Sequence, residues 1–156
     1  MRISHQNILL ELQVEYKNST DSKLVQCFSD EASIPFTQNF NLLTNSDKIC
    51  ITISMPSKIY FLFEGLTKNQ RVYIKSTKLH GIMIDQNILA NITEIKTDYY
   101  NTAKTLQDYL SIGSHKTLEF DHSSLVCYNL FAKNPLCYHL YIENYQNILK
   151  NPSISI

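Results

Sequence analysis

The chain has 156 residues, of which 44% are hydrophobic, and its 14 basic residues balance its 14 acidic ones. This length suffices for one domain with a buried core, and the balanced charge argues against the basic surface typical of a nucleic-acid-binding protein. Ten Tyr, seven Phe and only three Gly are typical of an all-β protein whose turns use Asn, Asp and Ser.

The N-terminal segment, residues 1–17, has no continuous apolar stretch, because Glu11, Gln13 and Glu15 interrupt it. No other part of the chain approaches the roughly 18 consecutive apolar residues that a transmembrane helix needs. We therefore expect a cytoplasmic chain without a membrane span, or a piece cut from a larger protein.

The first periodic element is a strand in which apolar residues alternate with mostly polar ones, at Ile8, Leu10, Leu12, Val14 and Tyr16. This two-residue period places the five apolar side chains on one face. A turn cluster at 18–22 and a short apolar run at 24–28 follow, so we predict a hairpin.

The next segment, residues 29–45, has a weaker pattern. Pro35 argues against a central strand at that point, so Phe36, Phe40 and Leu42 are expected to cover the core from a loop or an edge strand. Alternation then returns at Ile49, Ile51, Ile53 and Met55, which predicts a strand whose Cys50, Thr52 and Ser54 face outward.

The segment 59–85 is the most apolar part of the chain, and two strands joined by a tight polar loop fit it best. The first strand runs from Ile59 to Phe63, the loop is Thr67-Lys68-Asn69-Gln70, and the second strand begins at Val72. The apolar pattern resumes after Gly81. We predict that the two strands form a hairpin.

The remaining segments predict further short strands and little helix. Residues 88–95 fit a short strand or a helical turn equally well, and 102–110 fit one short helix or a structured loop. Strands follow at 118–120, 125–131 and 137–142. We therefore predict an all-β, two-sheet antiparallel β-sandwich, jelly-roll-like, with at most one short helix, over residues 1–150, and a polar tail at 151–156.

The sequence carries no motif of a known catalytic or metal site. It has no G-x-S-x-G, its five His lack metal-ligand spacing, and Ser114, His115 and Asp121 are better explained as turn residues. The four Cys show no C-x-x-C spacing, so buried free thiols are expected, with two disulfides as the alternative in a secreted protein. We predict no enzyme activity, no cofactor and no metal.

The candidate ligand-binding residues are Asp98, Tyr99, Tyr100 and Asn101. Aromatic faces stack on the apolar faces of pyranose rings, and Asp and Asn side chains hydrogen-bond to hydroxyls. The alternative is that these tyrosines pack over the sandwich. Tyr60 and Tyr73, as cross-strand partners on one outer sheet face, are a second candidate patch.

Three segments carry a resemblance to a known family. They read LVQCFSDEASIPFTQNF at 24–40, IYFLFEGLTKNQRVYIKSTKL at 59–79 and LEFDHSSLVCYNLFAKNPLCYHLYI at 118–142. Their order resembles the β-sandwich accessory domains attached to bacterial glycosyltransferases that build cell-surface polysaccharides. Where such domains often read Arg-Ile-Asp-Pro, this chain has Leu62-Phe63-Glu64-Gly65.

The resemblance implies a non-catalytic carbohydrate-binding or accessory module with a glycan or a glycosyltransferase as its partner. A protein–protein interaction domain without sugar affinity is the alternative, with an apolar outer patch centred on Tyr60, Leu62 and Tyr73. A hydrolase or isomerase on a jelly roll is a third reading, which requires clustered His and carboxylates.

Overall fold

The computed structural model describes residues 7–17, 23–29, 32–54, 57–64, 71–97, 108, 118–121, 124–128 and 136–142. Twelve strands and one helix have described bounds. In chain order they are β1 (Asn7–Lys17), β2 (Lys23–Ser29), β3 (Ala32–Ile34), β4 (Thr37–Asn41), β5 (Ser46–Ser54), β6 (Ser57–Glu64), β7 (Arg71–Leu79), β8 (Ile82–Met83), α1 (Gln86–Asn91), β9 (Thr93–Thr97), β10 (Leu118–Asp121), β11 (Ser124–Tyr128) and β12 (Leu136–Ile142).

The strands form two antiparallel sheets. The first sheet has the order β10-β11-β7-β1-β5-β4, with β8 paired to β7, and the second has the order β3-β2-β6-β12-β9. The chain passes repeatedly from one sheet to the other, because β1, β4, β5 and β7 belong to the first sheet while β2, β3 and β6 belong to the second. The prediction of an all-β, two-sheet sandwich is confirmed.

The core lies between the two sheets and is built from the alternating residues of each strand. The five alternating apolar residues of β1 (Ile8, Leu10, Leu12, Val14 and Tyr16) are all buried, as are Ile49, Ile51 and Ile53 of β5, while Leu9 on the other face of β1 is exposed. The second sheet contributes Ile59, Phe61 and Phe63 of β6 and Tyr138 and Leu140 of β12. The two-residue period in the sequence therefore identified the buried faces of β1 and β5.

The two predicted hairpins are wrong. β1 pairs with β5 and β7, whereas β2 pairs with β3 and β6. Likewise β6 pairs with β2 and β12, and β7 pairs with β1, β8 and β11. In both cases the two strands lie in different sheets. Alternation of apolar and polar residues shows which face of a strand is buried, but not which strand is its neighbour. Two strands with one buried face each can pair within one sheet or pack against each other from opposite sheets.

The tight turn of this region lies one strand later than predicted. His80 and Gly81 join β7 to β8 and have φ angles of 53° and 84°. A two-residue hairpin of this type needs positive φ at both central positions, which glycine adopts without strain. The glycine therefore marks the turn that the polar loop at 67–70 was expected to supply.

The segment around Pro35 crosses from one sheet to the other. β3 is an edge strand of the second sheet, β4 is an edge strand of the first, and Pro35 and Phe36 lie between them. The expectation that Pro35 lies outside any central strand is confirmed, since Pro has no N–H for a sheet interior. Phe36 packs against the core, but Phe40 and Leu42 are exposed, so their predicted core role is wrong.

The helix α1 resolves the ambiguous segment 88–95. Asp85 caps it, since its carboxylate accepts a hydrogen bond from the Asn87 N–H at 2.7 Å, and β9 begins directly afterwards at Thr93. Both predicted alternatives therefore occur, in succession. Asp108 is helical, while the rest of 102–110 and the tail at 151–156 lie outside the described residues.

Strand directions bring several connections to one end of the sandwich. The register places the end of β1 beside the starts of β5 and β7, and the end of β6 beside the starts of β2 and β12. β9 also ends here, because Thr97 pairs with Leu136. We call this the loop end.

Within the part of the chain that the structure describes, no helix has the length and apolar character to cross a membrane.

Candidate interaction site

The sequence-predicted sugar site lies outside the described residues. Asp98, Tyr99, Tyr100 and Asn101 follow directly on β9, whose last described residue is Thr97 at the loop end. The stacking site therefore stays a prediction, with its attachment point at that end of the sandwich.

The second predicted patch, on Tyr60, Leu62 and Tyr73, is wrong. Tyr60 lies in the second sheet and Tyr73 in the first, so they are not cross-strand partners. Tyr60 and Leu62 are only 4% and 8% exposed, and Tyr73 is half-buried. The β6 run is therefore covered on both faces, whereas the prediction assumed that one face of its sheet meets water.

Exposed apolar side chains occur instead on the hairpin formed by β4, the turn 42–45 and β5. Leu42 is 82% exposed, Leu43 is 96% exposed and Phe40 is 47% exposed. Single exposed apolar residues are common on protein surfaces, but contiguous ones mark interaction sites. We refer to Phe40, Leu42 and Leu43 as the apolar tip.

Polar groups hold the backbone of this tip in one shape. The Asn41 side chain accepts a hydrogen bond from the Leu43 N–H at 3.0 Å, and the Thr44 and Ser46 hydroxyls lie 2.6 Å apart. Asn45 has a φ of 51°, a left-handed conformation that Asn tolerates better than most residues. The two leucines therefore project from a turn whose shape does not depend on burying them.

The same turn is tied to the neighbouring strand β1. The Asn45 side-chain amide donates to the Tyr16 carbonyl at 3.0 Å, and the Tyr16 N–H donates to the Asn45 carbonyl at 2.9 Å. These two bonds fix the turn against the end of β1. The hairpin is consequently presented as a rigid projection at the loop end.

A buried carboxylate beneath the hairpin joins three strands. Asp47 of β5 is 2% exposed, and its Oδ2 accepts hydrogen bonds from the Tyr16 hydroxyl at 3.1 Å and the Gln38 amide at 3.2 Å. Tyr16 belongs to β1 and Gln38 to β4. Asp47 Oδ1 has no hydrogen-bond partner among the described residues. The group thus anchors the edge strand β4 but leaves one buried oxygen unsatisfied.

Burial changes the protonation of this group. Removal from water raises the pKa of Asp47 above its ordinary value, although the hydrogen bonds from Tyr16 and Gln38 act in the opposite direction. Burial, and then the nearby Asp47 charge, also raise the pKa of the Tyr16 hydroxyl. Both pKa shifts favour the neutral forms of Asp47 and Tyr16. The pair is therefore better suited to holding the strands together than to acting as a base and a nucleophile.

The edge strand β4 lacks the usual protection against pairing. Edge strands are commonly kept from other chains by charged residues, by Pro or by being very short. β3 has three residues, β9 carries Glu94 and Lys96, and β10 carries Glu119 and Asp121. β4 reads TQNFN, its five side chains are all exposed, and its register with β5 has no bulge. Among the described edges, β4 is therefore the one best suited to accept another strand.

A groove of about 360 Å³ opens beside the start of β4. It lies where the chain leaves β5 for the second sheet, and its lining includes Leu9, Pro35, Phe36, Thr37, Cys50 and Thr52. Most of these side chains are apolar or weakly polar. The groove and the apolar tip therefore lie near opposite ends of the same edge strand.

The outer face of β1 differs from the hairpin because its charges are paired. Glu11 lies 3.3 Å from Lys48, and Glu15 lies 2.9 Å from Lys17 and 4.0 Å from Lys75. Exposed pairs of this kind add little stability, but they keep this face polar. Leu9, Ile82 and Met83 are exposed apolar side chains outside the hairpin, but the two most exposed ones, Leu42 and Leu43, lie on its turn.

The described residues offer no separate chemical centre. They contain no group of three His, Cys, Asp or Glu that could hold a metal ion. Cys27 and Cys127 are buried free thiols, as predicted, whereas the free thiol of Cys50 is only partly buried. The side chain of Cys137 is not described. Burial raises the pKa of Cys27 and Cys127 well above the ordinary thiol range, which makes these thiols unreactive.

Sequence reasoning missed the hairpin because its signal is subtle. The run Phe40-Asn41-Leu42-Leu43 resembles a short core segment, and the polar Asn41 and Thr44 around it are compatible with either a buried or an exposed turn. Leu43 directly follows Leu42 and so breaks the two-residue period of Phe40 and Leu42, which was the available signal that the strand ends here.

Comparison with family models, curated proteins and solved structures finds no match to the chain. The resemblance to glycosyltransferase accessory domains therefore stays an expectation from the sequence pattern. The fold and the exposed hairpin are the observations on which a function can be proposed.

Proposed function

We propose that this chain is a non-catalytic β-sandwich interaction domain that docks on protein through the β4–β5 hairpin. The observation that carries the proposal is the apolar tip, in which Leu42 and Leu43 are almost fully exposed on a hydrogen-bonded turn. Burying a leucine side chain in a partner is worth about 1.5 to 3 kcal/mol. A partner that buries both leucines would explain why the turn exposes them to water in the isolated chain.

The hairpin combines two features that protein partners use. The apolar tip provides anchor side chains for a pocket, and the uncharged edge of β4 provides backbone groups for an added strand. The rigid attachment through Tyr16, Asn45 and Asp47 supports binding, because little order is lost when a preorganised element docks.

We expect a photo-crosslinking amino acid in place of Leu43 to give a discrete crosslinked protein product in the native cells. The same group in place of Met83 is the matched control, because Met83 is also an exposed apolar residue beside a turn but belongs to β8. Adding Leu42→Ser should reduce crosslinking from position 43, since it removes the remaining leucine of the apolar tip. The products are measured by gel shift and mass spectrometry.

Equal crosslinking from positions 43 and 83, or none from position 43, would contradict the proposal. The mass of the product also identifies the class of partner. A product of twice the chain's mass indicates self-association, and any other mass indicates a different protein.

A second proposed function is carbohydrate binding as an accessory module of bacterial polysaccharide biosynthesis, in the cytoplasm beside a glycosyltransferase. It is supported by the position of β9, which ends at the loop end immediately before Asp98, Tyr99, Tyr100 and Asn101. Loops grouped at one end of a rigid sandwich are a common place for ligand contacts.

The sugar proposal predicts selective binding on a glycan array that the double variant Tyr99→Ala, Tyr100→Ala loses. Two stacking rings contribute about 1 to 3 kcal/mol together, so affinity should fall by about 5- to 150-fold. The exposed Phe40→Ala variant is the control for general loss of aromatic surface. A blank array with folded native protein would rule this proposal out.

A further inference from the structure

We infer that the partner of the β4 edge is a second copy of this chain, bound through antiparallel β4–β4 pairing about a two-fold axis at Asn39. The inference rests on the proposed function and specifies the partner of the same hairpin. Symmetric contacts of this kind are the commonest arrangement in homo-oligomers, and they need a surface that complements itself.

The strand β4 complements itself in backbone pairing. A two-fold axis through Asn39, the central residue of Thr37–Asn41, pairs all five residues with the five of the partner. Any other antiparallel register leaves some of them unpaired. The strand carries no charge to repel its own copy, unlike β9 and β10 at other edges.

The side chains on the inner face of β4 also complement one another. Phe40 lies directly opposite Asp47, and Gln38 opposite Ile49, so Phe40 and Gln38 share the face toward the second sheet. In the two-fold register Phe40 lies opposite the partner's Gln38, and the two Phe40 rings become diagonal neighbours. Such neighbours lie about 7 to 8 Å apart, within reach of aromatic side chains.

The same register brings the apolar tip to the groove. The two-fold axis also brings the partner's turn 42–45, which directly follows Asn41, close to Pro35 and Phe36, which directly precede Thr37. Phe36 and Pro35 line the groove of about 360 Å³. The turn with Leu42 and Leu43 therefore lies near the groove of the other copy, while Phe40 contacts the partner on the opposite face of the strand.

The size of the contact sets the expected affinity. A five-residue strand and a two-leucine turn, each counted twice, form a small interface compared with the standard of about 800 Å² for each partner. We therefore expect a dissociation constant of about 1 to 100 µM rather than an obligate dimer.

The test is sedimentation equilibrium of the purified full chain across this concentration range. The native chain should be a reversible dimer. Asn39→Lys should weaken dimerisation by about tenfold or more, because the two lysines lie directly opposite each other beside Lys48. Mixing the Asn39→Lys and Asn39→Glu chains should restore a dimer containing one of each.

Asn91→Lys is the matched control, since it makes the same substitution at an exposed position of α1 and should leave dimerisation unchanged. Circular dichroism spectra should be the same for all chains, because both positions are exposed. A native chain that is monomeric throughout, or a dimer that Asn39→Lys does not weaken, would overturn the inference. A monomer that still crosslinks to a different protein through position 43 would leave the proposed docking function standing.

Discussion

Replacing Phe61 by alanine is expected to lower the free energy of unfolding by about 3 to 5 kcal/mol. Phe61 is fully buried in β6, the central strand of the second sheet. It pairs in register with Cys27 of β2 and Tyr138 of β12, and its ring lies 5.8 Å from the Tyr138 ring. The loss has two parts, because the variant removes buried apolar surface and leaves a cavity that the neighbouring strands fill only partly.

The measurement is urea unfolding followed by circular dichroism, with Phe40→Ala as the control. Both variants remove a phenylalanine ring, but Phe40 is half-exposed on an edge strand, so its loss should cost about 1 kcal/mol or less. A domain is stable by only about 5 to 15 kcal/mol, so the Phe61 variant should lose a large part of its stability. Similar losses for the two variants would show that the second sheet is not packed as described.

Replacing Asp47 by asparagine is expected to raise the free energy of unfolding at neutral pH by about 1 to 3 kcal/mol. Asp47 Oδ1 is buried and has no hydrogen-bond partner among the described residues, so the ionised carboxylate loses hydration without replacement. An amide has no charge to desolvate, and its oxygen can still accept from Tyr16 and Gln38. Its NH2 group takes the place of Oδ1 without a described acceptor, but a neutral group costs less to bury than an ionised carboxylate.

The gain should depend on pH in one direction. Because the pKa of Asp47 is raised in the folded chain, the native state keeps its proton at pH values where the unfolded state has released it. The contribution of Asp47 to stability therefore falls as pH rises from about 4, the ordinary Asp value, through the raised native pKa. Below that range the carboxyl is neutral in both states, and the two proteins should have similar stability.

The comparison is made by denaturant unfolding at several pH values between about 3 and 8. The difference between Asp47→Asn and the native chain should grow with pH and then level off above the native pKa. Tyr16→Phe is the control of opposite sign, since it removes a donor to the carboxylate and should destabilise the chain at neutral pH. A difference that is constant across pH would mean that the Asp47 carboxylate is not desolvated in the fold.

Sequence reasoning predicted the parts of this protein that depend on local alternation. The buried faces of β1 and β5 follow from the two-residue period of their apolar residues, and Pro35 marks the change from one edge strand to another. For the segment 88–95, apolar spacing alone did not distinguish a helical turn from a strand. A capped helical turn and a strand share those residues, and Asp85 as the cap was the available signal.

The interaction hairpin could not be predicted in the same way. Phe36 and Phe40 have the same side chain and are four residues apart, yet Phe36 packs on the core while Phe40 is exposed. Their burial depends on how far the second sheet extends over β4, which is a property of both sheets. Likewise Asp47 is buried because Tyr16, 31 residues earlier, lies over it.

The sequence by itself determined that this chain forms strands, which residues of most strands face a core, and therefore that two sheets pack together. These properties depend on side-chain order along a strand, where period and composition are sufficient. Only the tertiary structure decided which strands are neighbours, that β1 and β2 and then β6 and β7 lie in opposite sheets, and that Leu42 and Leu43 remain in water. Those outcomes depend on contacts between residues far apart in the chain. Which strands pair, and which side chains are buried, depends on how all the strands pack around one core.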